Sequence, residues 1–191
     1  MSSRDGLHFT YVDDRRPFVR TGREGTAGAA RVRVLPSPIV VNDTMLIYLY
    51  LTNLAEMKAT GGYNATTDHR PIESALGVVR MRKDGFVALA SPTYGKEALI
   101  TTVALVASAG GELWVNVDSL NGELRAELQT ADSGTPLPGF SLNESIPLSA
   151  NSVSAPVRWQ EGRTVQAGTE LVIVFHLLEA RVYSFQFQQP A

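Results

Sequence analysis

Three runs in the C-terminal half of the chain alternate apolar and polar residues with a period of two. Leu113, Val115 and Val117 alternate with Trp114, Asn116 and Asp118, and Leu124, Ala126 and Leu128 alternate with Arg125, Glu127 and Gln129. Val182, Ser184 and Gln186 alternate with Tyr183, Phe185 and Phe187 in the third run. A period of two sends successive side chains to opposite faces of a sheet, so each run predicts a strand with two distinct faces. Ala109-Gly110-Gly111 and Asn121-Gly122 stand where the chain must reverse. Residues 99–107, 153–159 and 170–178 are also strand-like. Short strands at this spacing predict a β-sandwich, of jelly-roll type.

The N-terminal half carries a second group of strand signals. Residues 39–41 and 45–51 flank the turn Asn42-Asp43-Thr44, and residues 45–51 are apolar at both parities. That pattern predicts a strand covered on both faces. Further on, Lys83-Asp84-Gly85 separates strand-like residues 75–82 from residues 86–89, and Asp-Gly between apolar runs is a hairpin signal. Four antiparallel strands in sequential order make a meander, the unit of a propeller blade. Between them, residues 54–58 are long enough for one helical turn but too short to hold it alone. The polar stretch 59–71 is a loop of the length that often carries function. The expected organisation is all-β: a blade-like meander over residues 1–92, then a sandwich over residues 93–191.

Composition narrows the partners. A chain of 191 residues with 44% hydrophobic content is long enough for a sizeable core. Its net charge of −2 makes no electrostatic case for nucleic acid or an anionic membrane. No apolar run approaches the ~20 residues of a membrane-spanning helix. The first ten residues are polar, without a signal-peptide apolar region. The absence of cysteine rules out disulfides, thiolate metal sites and cysteine nucleophiles. Sequons at Asn42, Asn64 and Asn143 would matter only in a secreted form.

Candidate site residues are few. His69, Arg70 and Glu73 follow the polar loop and could hydrogen-bond a sugar hydroxyl, or form a solvated loop face. Arg31 and Arg33 precede a strand and could face a central cavity or the surface. Trp114 stands out of phase with Leu113, Val115 and Val117, so an exposed outer face would let it stack on a sugar ring. Trp159, His176 and the triplet Tyr183, Phe185, Phe187 read as core or strand residues. His8 has no metal-spaced partner, no nucleophile elbow is present, and no cofactor is expected.

Several stretches together carry a resemblance. They are Gly122 through Asp132, Pro136-Leu137-Pro138-Gly139-Phe140-Ser141, Pro156-Val157-Arg158-Trp159, and Val172 to Leu177 leading into Ala180 through Phe187. In order and spacing they resemble the C-terminal β-sandwich of bacterial proteins related to glycoside hydrolase family 32, whose catalytic domain is a five-bladed β-propeller. Upstream, Ser3 through Phe9 with Arg16-Pro17-Phe18 is similar to the edge of a penultimate blade. Pro36-Ser37-Pro38 and residues 75–89 resemble strands of the last blade. The resemblance covers roughly residues 3–187. It implies a sugar-side loop at Asn53 and Gly61-Gly62, interrupted by an insertion over residues 55–60. Asn53 then joins Arg33, His69, Glu73 and Trp114, read above from residue chemistry and position, as the expected ligand-binding residues.

The same resemblance argues against hydrolysis by this chain alone. Glycoside hydrolysis usually needs two carboxyl groups ~5–9.5 Å apart, and in these propellers they come from early and middle blades. Where an Arg-Asp-Pro arrangement would place a carboxylate, this sequence has Pro36-Ser37-Pro38. Asn143-Glu144-Ser145 replaces an Asp-Cys pair, and residues 160–166 lack an Asp-Leu-Ser-like element. Two readings follow. One is a non-catalytic C-terminal portion of a family 32-like glycosidase with a carbohydrate-binding role, residues 1–90 being covered by propeller blades or a partner protein. The other is a structural or interaction protein with no carbohydrate role.

Overall fold

The computed structural model describes residues 6–11, 16–23, 26–53, 74–92 and 94–189. Their regular structure is entirely β, twelve strands in three four-stranded antiparallel sheets. The chain divides into two compact units, Met1–Met81 and Arg82–Ala191. The helical turn considered at residues 54–58 and the loop at 59–71 lie outside the described residues.

The first sheet holds β1 (Arg31–Val34), β2 (Ile39–Val41), β3 (Thr44–Thr52) and β4 (Ser74–Arg82), rich in the β-branched and aromatic residues that suit a pleated surface. Asn42-Asp43 closes the β2–β3 hairpin, with Val41 opposite Thr44 and Asn42 at φ 52°, a conformation asparagine tolerates. β1 and β2 pair in turn with the C-terminal and N-terminal halves of β3. The ladder breaks at Pro36-Ser37-Pro38, because two prolines offer no N–H and Ser37 sits at φ 67°. Met45, Ile47 and Leu49 are buried, with Val19, Val32, Leu51, Val79 and Met81 packed against them. Tyr48 and Tyr50 stand on the other face and are exposed. The expectation that this strand is covered on both sides is therefore corrected. Apolar composition marks a strand, but a face is buried only where another layer supplies the cover.

The turn at Lys83-Asp84-Gly85 also needs correction. The reversal is there: the Gly85 N–H donates to the Arg82 carbonyl, and Asp84 has φ 54°. The strands on either side do not form a hairpin. β5 (Leu89–Ala90) pairs instead with Val182 and Arg181 of β12, and the Ser91 N–H extends this ladder to the Ala180 carbonyl. Turn chemistry specifies a reversal, whereas the pairing partner was set by an edge about ninety residues away in sequence.

The second unit adds β6 (Glu97–Thr101), β7 (Leu105–Ala107), β8 (Glu112–Asp118), β9 (Glu123–Thr130), β10 (Asn151–Val157), β11 (Thr169–Leu178) and β12 (Arg181–Gln188). One sheet has the order β10-β8-β12-β5; in the other, β6, β7 and β9 all pair with β11. Residues 99–107 are two strands rather than one. At the break, the Thr102 N–H and hydroxyl engage the Ile173 carbonyl and N–H. The alternating residues meet in one core: Leu113, Val115 and Val117 from one sheet, Leu124, Ala126, Leu128, Leu171, Ile173, Phe175 and Leu177 from the other. Burying each large aliphatic or aromatic side chain contributes about 1.5–3 kcal/mol. The predicted alternation in β8 and β9 is thus realised.

β9 needs further partners for its backbone, since it pairs with a single strand of its sheet. Residues 135–159 supply them. Leu124 exchanges hydrogen bonds with Leu148, Leu128 engages Leu137 and Phe140, and Ala126 is held by side chains. The Ser145 hydroxyl accepts from the Ala126 N–H at 3.1 Å, and the Trp159 indole donates to its carbonyl at 3.2 Å. Trp159 is buried edge-on against Phe140, with centroids 5.0 Å apart, so it is the core residue its position suggested.

Acidification is expected to loosen this wrap. The Ser141 hydroxyl and then its N–H donate to Glu144, holding the carboxyl below its ordinary value of 4.5. A carboxylate with a lowered folded pKa stabilises above the unfolded value, and that contribution is lost as pH falls through the folded one. A carbon-detected titration of Glu144, with Glu144→Gln as control, should show the depressed midpoint. A midpoint at or above the ordinary value would refute the linkage.

Candidate functional site

The outward face of the first sheet is the more exposed of two candidate surfaces. The Tyr50 hydroxyl lies 3.0 Å from that of Ser74, so Ser74, Leu76, Val78 and Arg80 of β4 share the face of Tyr48 and Tyr50. On the other strands, Arg33 stands opposite Tyr50, Arg31 opposite Thr52 and Ile39 opposite Leu46. Leu76 is 75% exposed, and Ile39, Val41 and Val78 are about half exposed. This face joins aromatic rings, aliphatic side chains and guanidinium groups. The four strands contain no aspartate or glutamate.

A second cluster lies on the outer side of the β10-β8-β12-β5 sheet. The β8–β10 register shifts between Ser152 and Ala155, and the β8–β12 register between Val182 and Ser184. Such bulges leave backbone groups without ladder partners. Arg82 fills that need: Nη2 donates to the carbonyls of Val117 and Ser152, at 3.0 and 2.8 Å, and Nη1 to Asn151 Oδ1. Its guanidinium carbon lies 4.2 Å from the centre of the Tyr183 ring, a cation–π distance. Asn116 is buried and donates to the Lys83 carbonyl at 2.7 Å. The β12 bulge corrects the expectation that Tyr183, Phe185 and Phe187 share one core face. Phe185 and Phe187 pair with Val115 and Leu113 on the core side, where Phe187 packs against the core but Phe185 remains 38% exposed, while Tyr183 lies beneath Arg82.

The sequence-derived candidates fall in both units of the chain, Arg33 and Asn53 in the first and Trp114 in the second. Arg33 is exposed in β1, and Asn53 follows the end of β3 beyond the Thr52 end of the ladder. Trp114 does lie on the face opposite Leu113, Val115 and Val117, but it is half-buried, and its indole nitrogen is buried without a hydrogen-bond partner. His69 and Glu73 lie outside the described residues. Nδ1 of His176 is 2.8 Å from Glu97, a strand histidine with a carboxylate neighbour. Among the described residues, no group of three or more His, Cys, Asp or Glu could hold a metal ion.

Sequence reasoning passed over Arg82, Asn116 and Tyr48. A polar residue flanked by Val115 and Val117 was the available signal for Asn116. Nothing local marked Arg82, whose partners are 35 to 70 residues distant. Comparison with known proteins finds no matching family model, curated protein or solved structure.

Proposed function

We propose that this chain is a non-catalytic C-terminal portion of a family 32-like glycosidase. Its first sheet acts as part of a terminal propeller blade, and its second unit as a jelly-roll-like sandwich with a carbohydrate-binding role. The observation that carries this reading is the contrast between the two units. Among the described residues, the core cluster of the second holds eighteen buried apolar residues, whereas that of the first holds three and an apolar face of its sheet is exposed. A blade that packs against neighbouring blades would have that character. The sugar-hydrolysing carboxylates would belong to blades outside these residues.

The purified chain is expected to release no sugar from a panel of glycosides, and to show strong hydrogen-exchange protection only in the second unit. Turnover of any glycoside, or uniform strong protection from residue 16 onward in a monomer, would contradict the proposal. The second reading, a structural or interaction protein with no carbohydrate role, is favoured by the partial burial of Trp114. A glycan array discriminates the two. Binding that Trp114→Ala abolishes supports the carbohydrate role, and a blank array supports the alternative.

A further inference from the structure

The face formed by Tyr48, Tyr50, Leu76, Val78, Arg33 and Arg80 states the chemistry of what covers it. We infer that its partner is an apolar, sheet-like protein surface carrying carboxylates. This rests on the reading of the first sheet as a docking element and specifies its complement.

Exposed aliphatic side chains gathered on one face mark an interaction surface, and tyrosine and arginine are the residue types that anchor such surfaces. Arg33 stands opposite Tyr50 and Arg80 lies on the same exposed face of the sheet, and neither makes a hydrogen bond or ion pair among the described residues. Covering them with apolar surface alone would bury unpaired charge, which is strongly unfavourable. The covering surface therefore brings carboxylates, and arginine accepts them in a two-pronged hydrogen-bonding geometry.

A second copy of this chain does not fit. In a two-fold contact the same patch meets itself, and strands β1–β4 carry arginines with no aspartate or glutamate to answer them. Nucleic acid fits less well than protein. Phosphates would suit the arginines and bases could stack on the tyrosines. However, Leu76, Val78 and Ile39 would gain no apolar cover from a charged backbone, and the net charge of −2 does not favour a polyanion.

The test uses the whole chain and three probes. A strand-length peptide alternating valine and glutamate is expected to bind the wild type, weakening about tenfold between about 0.05 and about 0.5 M salt. Arg33→Glu/Arg80→Glu should lose that peptide and bind one alternating valine and lysine. Both positions are exposed, and circular dichroism checks that the variant folds. No binding of the acidic peptide, binding indifferent to the charge reversal, self-association of the wild type through this face, or tighter binding of oligothymidylate than of the peptide would each overturn the inference. Glycoside turnover would instead sink the non-catalytic reading and leave the docking chemistry standing.

Discussion

Trp159→Ala is expected to destabilise the second unit by about 3–5 kcal/mol, the range for removing a large buried aromatic side chain. The indole is 2% exposed and packs against Phe140. Its loss also leaves the Ala126 carbonyl without its indole donor, and an unsatisfied buried acceptor costs about 1–3 kcal/mol. A domain of this kind is stable by only about 5–15 kcal/mol, so the variant should sit near the edge of folding. Trp159→Phe separates the contributions. It keeps most of the ring packing and loses the hydrogen bond, so it should fall between the wild type and Trp159→Ala. Urea unfolding followed by far-ultraviolet circular dichroism reads all three. A Trp159→Ala midpoint matching the wild type would show that residues 135–159 do not hold β9.

The second large effect is expected at Arg82. Arg82→Ala removes donors to two carbonyls and to Asn151, together with the cation resting on Tyr183. Hydrogen bonds involving a charged group contribute about 1.5–3 kcal/mol each but are not additive. A total loss of about 2–4 kcal/mol is expected for these partly buried groups. Arg82→Lys is the sharper variant. An ammonium is a compact charge on a flexible stem and cannot reproduce the planar fork that reaches both carbonyls and the amide. Lysine should therefore recover less than half of the loss. If Arg82→Lys were as stable as the wild type, the bulge carbonyls would not depend on guanidinium geometry.

Strand identity and turn position were legible because they depend on neighbouring residues. Leu113, Val115 and Val117 face the core because period-two alternation leaves no other inward face. Asn42-Asp43 closes a hairpin because asparagine accepts a positive φ. The same local logic failed at Tyr183, where one bulge shifted the register and reversed the expected side.

Site residues were harder to read, for a related reason. Arg33, Asn53 and Trp114 each have the right chemistry for a sugar ligand, yet residue chemistry does not say which unit of the fold each will join. Arg33 and Asn53 belong to the first unit and Trp114 to the second. Arg82 was invisible as a site residue because its role comes from carbonyls that two bulges left unpaired, a need that exists only once the strands have assembled.

In the segment around Lys83-Asp84-Gly85, the Asp-Gly pair by itself indicated the reversal, and the structure realises it with a 3.2 Å hydrogen bond from the Gly85 N–H to the Arg82 carbonyl. The same signal predicted that residues 86–89 would pair back on β4 as a hairpin, and that expectation failed. Leu89 and Ala90 joined β12 instead. Turns are encoded by backbone preferences of adjacent residues, whereas pairing is a competition among all available strand edges, and distant residues take part in it.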